Sequence, residues 1–136
     1  MQTTKSIRNG TTYGIRTIRS EKYKYILNLH HESKFQNNVT EQKNPEWTGF
    51  WLTWQERAKT DENVKMLVDK FQIRPEVGFY DVQNDPFELN NLAMNVELKS
   101  EMNEMRTLLD KWMTEQGDKG RQTEMDAFDH QTVRKM

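Results

Sequence analysis

The chain of 136 residues contains no cysteine, which excludes disulfides, thiolate metal ligands and cysteine nucleophiles. It has only 6 Gly, none clustered, so a phosphate-cradling glycine loop is missing and no serine sits in a nucleophile-elbow pattern. No apolar run is long enough to cross a bilayer, and residues 1–10 lack the hydrophobic stretch of a signal peptide. Taken alone, those absences predict a soluble, cytosolic chain. A surplus of one charge is lacking too. With 20 Lys and Arg against 21 Asp and Glu, the net charge of -1 offers no general attraction to nucleic acid or an anionic membrane. Hydrophobic residues make up only 34% of the chain, so a single domain of this size must build its core from a few clusters of its 4 Trp, 4 Tyr, 6 Phe and 8 Met.

What is present is organised. Residues 13–29, "YGIRTIRSEKYKYILNL", read as two strands joined by a tight turn around Ser20 and Glu21. Tyr23, Tyr25, Leu27 and Leu29 alternate with Lys22, Lys24 and Asn28, the period of a sheet with one covered face. Ile26 interrupts that alternation, which predicts partial cover on the second face. "NGTT" at residues 9–12 is a turn signal, and residues 30–43 read as a polar loop. "NPEW" then marks a helix entrance, with Asn44 as cap and Pro45 at the first helical position. Trp47, Phe50, Trp51 and Trp54 form one apolar stripe, and Val64, Leu67, Val68 and Phe71 repeat the spacing on a second short helix that ends before Pro75.

Residues 77–82 have strand propensity. Asp85, Pro86 and Glu88 then have the pattern of a capping box and predict a helix start. Asn95 is a second candidate cap. Leu98, Met102, Met105, Leu109 and Trp112 make the apolar stripe of a longer helix stopped by Gly117. The expected fold is α+β: a small antiparallel sheet of three or more strands packed against a long C-terminal helix, with additional short helices. Its core spans about residues 12–116, and residues 117–136 are expected to be a polar, extended tail.

Candidate chemistry is sparse. His30 and His31 are adjacent and would face opposite sides of a strand, while His130 lies in the tail, so a shared metal is not expected. Arg16, Arg19, Lys22 and Lys24 make the hairpin basic, either for an anionic ligand or as a solvated face balanced by Glu21. Arg16 stands apart, because Ile15 and Ile18 near it suggest a partly buried guanidinium that holds carbonyls or a carboxylate. The Trp47 stripe could stack sugar rings, although helical spacing is what burial requires. "NGT" at Asn9 and "NVT" at Asn38 match the glycosylation sequon, which matters only in a eukaryotic secretory pathway.

"YGIRTIRSEKYKYILNL", followed by "GFYDVQNDPFELNNLA" and a helix ending "LLDKWMTEQGD", resembles the C-terminal region of the sulfatase family. The anchor is Tyr80, Asp81, Asp85, Pro86, Glu88, Asn91, Leu92 and Ala93 in fixed register, and the long aromatic segment from Pro45 to Phe71 is similar to the heparan N-sulfatase (sulfamidase) branch and its bacterial relatives. Gly78 and Phe79 stand where the family usually has Glu-Leu, and Gly14 where sulfamidases commonly have Pro.

The resemblance implies a two-part enzyme whose N-terminal α/β catalytic domain holds a formylglycine and a calcium ion. Neither maps onto this chain, for which no cofactor is expected. This chain would be the C-terminal subdomain, inactive alone, packed against that catalytic domain in an enzyme hydrolysing sulfate ester or sulfamate groups on sulfated glycans such as heparan sulfate. Arg16, Arg19, His30 and His31 are then weak candidates for substrate contact. The family also implies a periplasmic or secreted location, lysosomal in an animal; from the balanced charge and the lack of a long apolar run, no nucleic-acid partner and no membrane insertion are expected. The alternative is a self-standing glycan-binding or protein-interaction module.

Overall fold

The computed structural model describes residues 13–37, 40 and 45–133. The turn expected at residues 9–12, both sequons' asparagines or their neighbours, the Asn44 cap and the side chains of Trp47 and His130 lie outside the described residues. Within them, β1 (Ile15–Arg19) and β2 (Tyr23–Asn28) form the expected hairpin. Two short helices follow, α1 (Pro45–Arg57) and α2 (Glu62–Gln72), then β3 (Val77–Asp81), α3 (Lys99–Glu115) and α4 (Arg121–Val133). The sheet order is β1-β2-β3, antiparallel throughout, with Arg16 opposite Leu27, Ile18 opposite Tyr25 and Tyr25 opposite Phe79. The architecture is therefore α+β.

Period-2 alternation decides which side chains meet α3. Tyr25, Leu27 and Phe79 point to one face and join Met105 and Leu109 of α3 in the core, with Ile18, Leu92, Met102 and Met113 packed around them. Phe79 and Leu109 are both 0% exposed. The α3 stripe is thus close to the expected one, except that Trp112 stays at the margin, 38% exposed. Gly117 ends this stretch with φ 67°, the left-handed conformation that glycine adopts without a Cβ penalty.

Two expectations are corrected between β3 and α3. No helix begins at Asp85. Residues Asp85 to Glu88 form a β-turn, closed by Glu88 N–H to Asp85 O at 3.0 Å, with Pro86 at its second position. The Asp85 carboxylate accepts from the amides of Leu89 and Asn90 at 3.0 and 2.8 Å, and these bonds hold its pKa below the usual value. Glu88 has φ 54° and does not reach back; it pairs with Lys24 at 2.8 Å. The helix starts only after Asn95, whose side chain caps a 3-10 turn at Val96–Leu98. In between, Asn91 accepts from Phe79 N–H and donates to Val77 O, and Leu92 N–H donates to Phe79 O at 2.7 Å. Those bonds occupy the outer edge of β3, which would otherwise offer free donors and acceptors.

The Trp stripe on α1 is also corrected. Trp51 is 4% exposed and packs 5.3 Å from Phe71, but Phe50 and Trp54 are 58% and 48% exposed. A single two-helix layer with one neighbouring surface can bury one line of side chains, not the whole stripe. Trp54→Ala is therefore expected to change the unfolding free energy by less than about 0.5 kcal/mol, as for exposed positions generally, which a urea titration would check.

The tail expected to be extended is helical over Arg121–Val133. It has no clear apolar stripe to announce it. Its first turns are held by Lys119 N–H to Thr123 Oγ1 at 2.8 Å, and by Glu124, 5% exposed, which reaches back to β1.

Candidate functional site

Two polar assemblies lie on opposite faces of the sheet. The first is on the α3 side. Arg16, on the same face as Ile18 and Leu27, is 1% exposed and is the largest fully buried side chain among the described residues. Its Nε and Nη2 donate to both oxygens of Asp118, the second at 3.1 Å, while Nη1 lies 2.8 Å from Glu124 Oε1 and 3.2 Å from Ile15 O. Burial works against the guanidinium charge, but bonds to the two carboxylates outweigh it and the Arg16 pKa is raised. The bond from Arg16 holds the Asp118 carboxyl below its usual range. Gly14 has no room for a side chain, since a Cβ would lie 2.7 Å from Glu124 Cγ.

His30 sits beside this node, its Nδ1 accepting from Gly14 N–H at 3.1 Å. His31 is near Glu32, 3.7 Å away, and Glu32 pairs with Arg121 at 2.7 Å. The structure therefore brings Arg16, His30 and His31 to one end of the hairpin. Arg19 is exposed at the far end of β1, three residues and about 10 Å along the strand from Arg16. Arg16 has both carboxylate partners it can use, which matches the structural alternative for that residue and leaves it no free face for a ligand.

Burial, followed by the nearby Arg121 charge, lowers the His30 pKa from 6.5. A depressed folded value means that the unfolded chain takes up the proton first. The His30 contribution to stability is thus fully present above pH 6.5 and lost as the pH falls through the folded value. His30→Gln is expected to flatten the pH dependence of Tm between about pH 5 and 7, and NMR should place the His30 midpoint below 6.5.

The second assembly is a groove of about 400 Å3 between the other sheet face and α2. Lys24, Ile26, Asn28, Gly78 and Tyr80 form its floor, and α2 and the following segment supply Lys70, Phe71 and Arg74. Gly78 lets the Tyr80 ring fold across it, because a Cβ there would lie 2.8 Å from Tyr80 Cε2. The Arg74 guanidinium lies 3.7 Å over Phe35, within an aromatic cluster in which Tyr13 meets Phe35 and Phe35 meets Phe71. Its one hydrogen bond among the described residues is Nε to Phe71 O at 3.0 Å. Burial lowers the Arg74 pKa, partly offset by Tyr13 and Tyr80. Asn28, 3% exposed, donates from Nδ2 to Pro75 O at 2.7 Å, while its Oδ1 has no partner among the described residues.

Among the groove residues only Lys24 was a candidate for an anionic ligand, as part of the basic hairpin; Lys70, Arg74 and Asn28 were not expected site residues. Ile26, which breaks the alternation, was the signal that this face is covered. Arg74 was legible only as the residue before Pro75, and nothing in a single sequence places it over Phe35.

No three His, Asp or Glu side chains gather as a cation site among the described residues, and the buried carboxylates Asp118 and Glu124 are engaged by Arg16. No described helix is long and apolar enough to cross a membrane.

The fold and its two assemblies define a small α+β module braced on one sheet face and grooved on the other. Comparison with known proteins relates that module to sulfatases. The chain is 32% identical over 108 residues to an ulvan-active sulfatase of Formosa agariphila, and 33% identical over 118 residues to another from the same organism. These alignments cover 76% and 87% of the chain but only 17% and 21% of the relatives, so the chain spans about a fifth of their length. No family model matches it.

Proposed function

We propose that this chain forms the C-terminal subdomain of an exported sulfatase that removes sulfate groups from a sulfated polysaccharide, and that it packs against the catalytic domain without hydrolysing sulfate itself. The observation that carries the reading is the similarity of most of the chain to about a fifth of two ulvan-active sulfatases. Exposed Met94 and Val96, 92% and 83% accessible just before and at the start of the 3-10 turn, support a surface that another domain covers. Both relatives are named for ulvan, so ulvan is the first substrate to try, ahead of heparan sulfate and of sulfamates. The formylglycine and calcium belong, on this reading, to the catalytic domain, as does the reaction.

The test is the coding sequence upstream of Met1, followed by sulfate release from ulvan by the longer protein. An α/β domain with a Cys or Ser formylglycine motif, and released sulfate, is the expected result. An unrelated upstream domain, or none, would overturn the proposal.

A further inference from the structure

We propose that the groove around Arg74 is a binding site for an acidic sugar unit, a ring that carries a carboxylate or a sulfate ester beside a free hydroxyl. Three observations converge on that chemistry. Arg74 is a half-buried cation with no carboxylate partner among the described residues, its planar face fixed on Phe35 and its one hydrogen bond made through Nε. A guanidinium held in this way presents its remaining N–H donors as a fork that matches an oxyanion. Lys70, which donates to Glu88 O and lies 5.4 Å from the Tyr80 ring centre, adds a second cation on the same wall. Lys24, by contrast, is neutralised by Glu88 at the rim.

The second half of the ligand is set by Asn28. Its amide orientation is fixed because Nδ2 is committed to Pro75 O, so Oδ1 is left as a buried acceptor without a donor among the described residues, on a residue that lines the groove. Leaving such a group unmet is costly. A bare carboxylate from a protein side chain would satisfy Arg74 but bring only acceptors to Asn28. A sugar supplies both, an anionic substituent and a hydroxyl a few ångströms away. Phe87, 81% exposed, adds an aromatic side chain to the groove lining. The volume of about 400 Å3 falls within the range of small-ligand sites. The choice of a sugar over other hydroxylated anions rests on the polysaccharide reading above; the anion and the donor rest on the groove alone.

The experiment is an NMR titration of the isotopically labelled chain, following the Asn28 side-chain amide and the Arg74 Nε–H. Sodium glucuronate, glucose 6-sulfate, glucose and sodium acetate are the probes. Saturable shifts with either acidic sugar are expected, with glucose and acetate at least about ten-fold weaker. Arg74→Gln should abolish the response. Because Arg74 also braces the aromatic cluster, Lys70→Gln provides a second variant, expected to weaken binding several-fold while the circular dichroism spectrum is kept.

Acetate binding as tightly as the acidic sugars would overturn the proposal in favour of a socket for an acidic protein segment. No saturable shift with any probe, or an unchanged affinity in a folded Lys70→Gln variant, would also overturn it. Those failures leave the sulfatase reading intact, since that is decided by the upstream domain and by sulfate release.

Discussion

Arg16→Ala should unfold the chain or lower its stability by about 3–5 kcal/mol, the range for breaking a buried ion pair from one side. The reason is electrostatic and not a matter of lost packing alone. In the folded chain one guanidinium, 1% exposed, faces two carboxylates, those of Asp118 and Glu124. Removing it leaves both acids in a largely water-excluding site, where neither pairs with a second cation among the described residues. Glu124→Gln should cost distinctly less, because the Arg16 to Asp118 bonds survive and the glutamine carbonyl can still accept from Nη1.

Acid titration separates this account from simple overpacking or cavity arguments. The Asp118 pKa is lowered from 3.8, mainly by its bond from Arg16. Its contribution is therefore present above pH 3.8 and is lost as the pH falls through the lower folded value. In a variant without the Arg16 charge, that part of the acid dependence should disappear. Chemical denaturation of Arg16→Ala across this pH range is the measurement. A change below about 1 kcal/mol, or an unaltered acid slope, would show that the node is not what holds α4 against β1.

The same node explains which parts of the fold were legible in the sequence. The hairpin could be read because Tyr25 and Leu27 alternate with polar neighbours, and α3 because Met102, Met105 and Leu109 repeat at helical spacing; in each the period is the trace of one buried face. The α4 helix leaves no such trace. It is held to the hairpin by the buried pair of Arg16 and Glu124, whose partners are 108 positions apart in the chain, with the exposed Arg121–Glu32 pair beside it. A charge in a polar tail looks the same whether it is solvated or buried. The stretch at Asp85 failed for a different reason: Asp, Pro and Glu suit the start of a helix and a β-turn alike. The choice went to the turn because Asn91 and Leu92 must return to the edge of β3, and a helix beginning at Pro86 would carry them away from it. The groove was the least legible, since it depends on Arg74 meeting Phe35 and on Gly78 admitting the Tyr80 ring.

Phe79→Ala is the second substitution with a large expected effect, about 3–5 kcal/mol. Phe79 is 0% exposed, stacks on Tyr23 at 5.0 Å and meets Tyr25 edge-on at 6.4 Å. Its backbone is equally committed. The N–H donates to Asn91 Oδ1 and the C=O accepts from Leu92 N–H, so the residue joins the core to the segment that closes the sheet edge. With both peptide groups held, β3 is poorly placed to collapse into the space a truncated ring would leave, and incomplete collapse is what drives cavity costs to the upper end of their range. Phe79→Leu, which keeps most of the volume, should recover the larger share. Phe87→Ala, at an 81% exposed position in the neighbouring turn, should alter stability by less than about 0.5 kcal/mol. Urea denaturation of the three variants orders them. Equal losses for Phe79→Ala and Phe87→Ala would mean that the turn, and not the aromatic contact under α3, is what fixes β3 in the sheet.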